Sequence, residues 1–205
     1  MAERTRPLTV LLIRHGESEA NALGRFAFRT WDPGLTERGR EQARVLVAQL
    51  AGLAIAGLVS SPLRRAQETI RPLSEARGLA VETLPALAEL DMGRWDGQVL
   101  TDIAAREPVA WQAWRRDPES HPPPRGERIL AVGQRVLAGL DSLRGRSGLI
   151  VASTHADCVK GAALAVLGAA GPSARRLHVP NTGQLLLRAT ESGWVLVLPP
   201  LYAGL

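Results

Sequence analysis

In Leu8-Thr9-Val10-Leu11-Leu12-Ile13-Arg14-His15-Gly16-Glu17 an unbroken apolar run, 8–13, leads directly into a cation and an imidazole. Short and uninterrupted, the run predicts a strand over 8–14 buried on both faces of a parallel sheet. Ligands of open α/β sheets bind beyond the carboxyl ends of the strands, so Arg14 and His15 are expected where chemistry takes place. A guanidinium fork grips phosphate oxygens, and a neutral imidazole can attack phosphorus. Alone, the tetrapeptide 14–17 says little; its weight comes from three stretches further along the chain.

A polar loop runs from the first strand through Asn21 to Pro33-Gly34, and Thr36 caps a helix patterned over 38–50 by Ala43, Leu46, Val47 and Leu50. Residues 57–61 predict a second strand, after which Pro62 opens a helix over 63–76. A third strand is expected over 79–84, followed by a loop carrying Glu89. From about 95 to 126 the character changes: Trp111, Trp114 and Pro122-Pro123-Pro124 predict a lid-like insertion of short helices and irregular chain. A helix over 127–143, a strand over 148–154 ending at His155, a helix reaching Leu167, and strands at 184–188 and 194–198 complete the pattern. Alternating strands and helices predict a three-layer α/β/α sandwich with a mostly parallel central sheet, built as a single domain over 1–205.

Composition narrows the function classes. The 205 residues carry 25 Lys+Arg against 20 Asp+Glu, a net charge of +5, and Lys160 is the single lysine. Although the calculated pI is 10.8, the arginines are interspersed with acids, as in Glu37-Arg38-Gly39-Arg40-Glu41, and stacking aromatics are scarce. That pattern argues against nucleic acid as a partner. No stretch is long and apolar enough for a membrane span, so no membrane partner is expected. The polar start 1–7 does not resemble a signal peptide. Cys158 stands alone, which excludes an internal disulfide and a cysteine-based metal site, and the cytoplasm is the expected location.

Three stretches join Arg14-His15. Ser61-Pro62-Leu63-Arg64-Arg65 lies where a strand gives way to a helix, a natural anion site. Glu89-Leu90-Asp91 sets carboxylates among apolar residues, and Ser153-Thr154-His155 places a second histidine on a second core-like strand. With Asn21, Leu35-Thr36-Glu37-Arg38-Gly39-Arg40-Glu41-Gln42-Ala43 and the segment from Ser61 to Thr69, the chain resembles the histidine phosphatase superfamily, the phosphoglycerate mutase-like proteins, over nearly its whole length. It departs from the family's common pattern at Ala156-Asp157, where a glycine often comes after the second histidine, and at Arg125-Gly126-Glu127-Arg128. Both departures fall near the expected leaving group.

The resemblance implies a phosphoglycerate mutase-like fold and phosphoryl transfer through a phosphohistidine on His15. In that reading Arg14, Arg65 and His155 neutralise the phosphoryl oxygens, and Asn21 donates a further hydrogen bond. Glu89 serves as the acid and base, with Asp91, two residues on, as the alternative. Neither a metal nor a cofactor is called for. The expected activity is hydrolysis of a small phosphorylated metabolite. A phosphoglycerate-type mutase is the rival, and a non-catalytic phospho-ligand-binding protein on the same fold is a second. A homodimer is the family-level expectation. Glu17 is read as a loop brace, Arg64 as solvated, Cys158 as core, and His121 and His178 as ordinary surface or lid residues. Trp95, Trp111 and Trp114 either wall the pocket or pack the insertion. Arg115, Arg116, Arg125 and Arg128 are read as a solvated basic face rather than a hold on the substrate.

Overall fold

The computed structural model describes residues 7–198; the polar start at 1–6 lies outside them. The chain order is β1 (Thr9–Arg14), α1 (Glu19–Ala22), α2 (Glu37–Gln49), β2 (Ile55–Ser60), α3 (Arg64–Arg77), β3 (Val81–Thr83), α4 (Leu100–Arg106), α5 (Pro108–Arg116), α6 (Ile129–Asp141), β4 (Leu149–Thr154), α7 (Ala156–Leu167), β5 (Gln184–Thr190) and β6 (Gly193–Val197). The sheet runs β3-β2-β4-β1-β5-β6. Its first four strands are parallel, and β5 and β6 join antiparallel.

Strand periodicity divides the core between two faces. Val10 and Leu12 of β1, with Ile150 and Ala152 of β4, meet Val132, Val136 and Leu140 of α6 and Cys158, Val159 and Ala162 of α7. Leu11, Ile13 and Val151 point the other way, against Leu46 of α2 and Ile70 and Leu73 of α3. An apolar run without alternation thus fits a strand covered on both sides. Thr36 caps α2 as expected, its hydroxyl accepting the Gly39 N–H at 3.0 Å. No helix among the described residues is long and apolar enough to cross a membrane.

Two expectations are corrected in detail. The strand expected over 79–84 pairs only at Val81–Thr83, because it lies at the sheet edge and enters directly from the left-handed Gly78 that ends α3. The loop after His15 is not wholly irregular. Ser18 and Asn21 form a reciprocal capping box that winds the single turn α1.

Helices α6 and α7 cross so closely that a Cβ on Gly133 would overlap the Gly161 carbonyl oxygen. Gly133→Ala should therefore cost about 1–3 kcal/mol by overpacking. Urea denaturation is the measurement, and an unchanged midpoint would show that the crossing relaxes without cost.

Candidate active site

Register places the chemistry. Arg14 lies opposite Thr154 and Ser60 opposite Ser153, so β1, β4 and β2 end level. The His15 N–H then donates to the Thr154 carbonyl and the Ser61 N–H to the Ser153 carbonyl, both at 2.9 Å. His15 and His155 thus emerge side by side, their ring centroids 5.1 Å apart and their planes at 64°. Both are buried.

His15 is held from two sides. Its Nδ1 lies 2.6 Å from the Gly16 carbonyl oxygen, which makes Nδ1 the protonated nitrogen. Nε2 is left as an acceptor, and the Nε of Arg65 donates to it at 3.2 Å. Burial first, then Arg65 and Arg14, hold the His15 pKa well below the ordinary histidine range, against the raising effect of the Gly16 hydrogen bond. The imidazole is therefore neutral at pH 7, with a lone pair on Nε2. Arg65 itself is 3 % exposed, reaching in from the first turn of α3 and donating to the Ala27 carbonyl at 3.0 Å. Neighbouring Arg64 is solvated, as expected, and pairs with Glu68 at 2.6 Å.

The loop between β1 and α2 is braced by the residues of the sequence motifs. The Gly16 N–H donates to Thr69 Oγ1 at 3.0 Å, and the Thr36 hydroxyl donates to Glu17 Oε1 at 2.8 Å. Glu17 is thus a brace. Gly39 is required because a Cβ there would overlap the Glu17 carbonyl oxygen.

Glu89 sits on a loop fixed from beneath. Arg135 of α6 donates to the Ala86, Ala88 and Glu89 carbonyls at 2.7, 3.0 and 3.4 Å and pairs with Glu127 at 2.9 Å. The Thr154 hydroxyl donates to the Leu87 carbonyl at 2.8 Å, and the buried Cys158 thiol to the Ala88 carbonyl at 2.9 Å. Glu89 Oε1 accepts the Leu90 N–H at 2.9 Å, and Oε2 lies 3.9 Å from His155 Nδ1. Burial, reinforced by the Asp157 carboxylate, raises the Glu89 pKa to about 7. Asp91 points elsewhere: it pairs with Arg29 at 3.0 Å and accepts the Gly93 N–H.

Arg14, His15, Asn21, Arg65 and Glu89 line one cavity of about 140 Å³. Asn21 Oδ1 accepts N–H groups from Ser18 and Asn181, which leaves its amide nitrogen as the donor for the cavity. Arg14 donates to the Val179 carbonyl at 2.7 Å, and its buried Nε has no partner. Sequence reasoning assigns no role to Arg25, Phe26 and Asp157, which share the cavity. Only Asp157 carries a signal, as the departure from the family pattern after the second histidine.

The insertion tryptophans do not line this cavity. Trp95, Trp111 and Trp114 pack on one another and on Phe26, with centroids 5.1 to 6.3 Å apart. Arg115 lies over Trp111, Arg128 lies 3.9 Å from Glu119, and Arg116 is exposed. Arg125 and the histidines His121 and His178, all exposed, also lie outside the cavity.

Donor atoms of His15, Glu89 and His155 lie within 4.8 Å of one another, a spacing that a metal ion could in principle use. The same point faces Arg14 and Arg65, whose charges depress both histidine pKa values. Those charges oppose a cation and favour an anion.

Residues 10–200 match the model of the histidine phosphatase superfamily (branch 1), and the chain belongs to that family. Phosphoserine phosphatase 1 of Hydrogenobacter thermophilus is 31 % identical over 161 residues, covering 78 % of this chain and 76 % of the relative. A probable phosphoglycerate mutase of Yersinia pestis is 31 % identical over 196 residues, with 92 % and 88 % covered. Among solved structures, a mycobacterial glucosyl-3-phosphoglycerate phosphatase with VO3 superposes with a TM-score of 0.83 at 28 % identity, covering 93 % of this chain and 97 % of that one. The chain is a phosphatase of the histidine phosphatase type, a phosphoric monoester hydrolase.

Arg135→Met would strand Glu127 and free three carbonyls, so it should lower stability by about 2 kcal/mol. Thermal and urea unfolding measure this, and an unaltered stability would mean that the Glu89 loop is held without its brace.

Proposed function

We propose that the protein is a metal-independent phosphatase that hydrolyses a small phosphorylated metabolite through a phosphohistidine on His15. One observation carries the reading. A neutral imidazole nitrogen, two guanidinium groups and a carboxyl with a pKa of about 7 converge on one small cavity, and a second neutral histidine, His155, is buried beside it with its ring 5.1 Å from that of His15.

The chemistry runs in two halves. The Nε2 lone pair of His15 forms a bond to phosphorus as the bond from phosphorus to the ester oxygen breaks. Arg14, Arg65, Asn21 and His155 stabilise the charge that spreads over the phosphoryl oxygens. Glu89 gives its proton to the departing alkoxide. Water then attacks phosphorus, the P–N bond breaks, the Glu89 carboxylate takes the water's proton, and phosphate leaves. Residues 95–126 act as the lid over the leaving group, their tryptophans supporting Phe26 from behind.

The substrate classes named for the relatives, phosphoserine and glucosyl-3-phosphoglycerate, support a small hydroxylated leaving group. The likeness to a probable phosphoglycerate mutase keeps one second reading in view. Phosphate release and isomerisation, assayed side by side with and without a bisphosphate primer, distinguish the two. Release without primer is expected, and faster primer-dependent isomerisation would overturn the hydrolase reading.

His15→Ala should abolish turnover and the acid-labile phosphoenzyme trapped by rapid quenching. Retained activity would remove the phosphohistidine. Glu89 must be protonated to act as the acid, so kcat/KM for alkyl phosphates should fall as pH rises through about 7. An aryl phosphate with a good leaving group should lack that limb, and Glu89→Gln should abolish it. An alkaline limb that survives in Glu89→Gln would assign the proton to another group.

A further inference from the structure

His15 lines the cavity; His155 lies beside it and is not among the lining residues. His15 presents an unprotonated Nε2, whereas His155 is wholly buried with Nδ1 as the nitrogen nearest Glu89, 3.9 Å from its Oε2. That Nδ1 has no hydrogen-bond partner, although buried ring nitrogens are ordinarily satisfied. On the far side of the ring, Nε2 lies 2.7 Å from the hydroxyl of Ser61, which is also fully buried.

The hydroxyl determines the proton positions. Ser61 Oγ accepts the Leu63 N–H at 3.2 Å, and its one other hydrogen-bond partner among the described residues is His155. A hydroxyl holds one hydrogen to donate. If His155 carried its proton on Nε2, Ser61 would receive two N–H groups and its own buried O–H would have no acceptor. If Ser61 donates to Nε2, every group at this end is satisfied, and the proton of a neutral His155 resides on Nδ1. Burial and the nearby Arg65, His15 and Arg14 keep the ring neutral, so it has one N–H to offer.

We propose that Ser61 is a positioning residue: by donating to Nε2 it fixes His155 as the Nδ1–H tautomer, whose unpartnered N–H is aimed at a phosphoryl oxygen in the cavity. The inference rests on the phosphoryl-transfer reading above and adds to it the origin of the second histidine's donor. The orphaned Nδ1–H then acquires its acceptor when a phosphoryl group binds. Ser61 lies at the end of β2 and begins the segment that also supplies Arg65. One strand-to-helix junction thus delivers one clamp directly and orients another through His155.

The test reads the tautomer in the resting protein. With 15N-labelled histidine at pH 7, two-bond 15N–1H correlation spectra should show His155 with its proton on Nδ1, and Ser61→Ala should shift it toward the Nε2–H form. Vanadate, a mimic of the transferring phosphoryl group, should then inhibit Ser61→Ala roughly ten- to a hundredfold less tightly, the loss expected for one hydrogen bond to a charged oxygen. kcat should fall with KM little changed, and Ser61→Thr, which retains the hydroxyl, should restore the wild-type spectrum and affinity. A wild-type His155 found as Nε2–H or as imidazolium would overturn the proposal, even were Ser61→Ala unable to fold. So would a Ser61→Ala variant that keeps both the Nδ1–H tautomer and the vanadate affinity. No turnover is needed for the spectrum, so this failure is distinct from failure of the phosphohistidine, which the His15→Ala assay decides.

Discussion

Arg65 keeps a guanidinium almost wholly out of water with few partners. Its Nη2 donates to the Ala27 carbonyl, its Nε to His15, and its Nη1 has no hydrogen bond, with Asp32 3.7 Å away. Burying a charge with so little compensation costs several kcal/mol, and a fold tolerates it only where the surrounding structure holds the charge in place. Here the packing of α3 on β2 and β4 and the level ends of the strands supply that rigidity. The buried cation lowers the pKa of both histidines, opposes a metal ion, and gives a bound anion its counter-charge. The rest of the cavity is arranged around it.

Much of this was legible in the chain. Runs such as 8–13 and 149–153 can be satisfied only by strands covered on both faces, and each leads to a histidine. The helix starts at Thr36 and Pro62 carry their own local signals. Short elements were harder to read. The turn α1 consists of four residues held by Ser18 and Asn21, too few for any hydrophobic period to register. The edge strand Val81–Thr83 pairs with one neighbour, and its limits depend on tertiary contacts.

The site divides along the same line. His15, Arg65, Glu89 and His155 belong to local motifs with a recognisable chemistry. Arg25 and Asp157 reach the cavity by folding alone, and the grip of Arg135 on the Glu89 loop spans 46 to 49 positions. No periodicity or spacing encodes such a contact. Aromatic content left two readings open, pocket wall or packing of the insertion, and packing holds: the three tryptophans make a layer that lies against Phe26, which lines the cavity, and line none of it themselves.

The charges of the cavity explain why both histidines must be neutral. A phosphate monoester carries a charge of about −1.5 to −2 at neutral pH. Arg14, Arg65 and the exposed Arg25 offer three positive charges, and Asp157 is partly offset by Lys160 at 3.2 Å. Were His15 also positive, it would bind the anion more tightly but would have no lone pair with which to attack. Were Glu89 ionised as substrate arrived, it would repel the phosphoryl group and have no proton for the leaving oxygen. Burial moves each of these groups in the required direction, lowering both histidines and raising Glu89. Exclusion of water therefore does more here than strengthen the arginine contacts: it selects the protonation states that phosphoryl transfer requires.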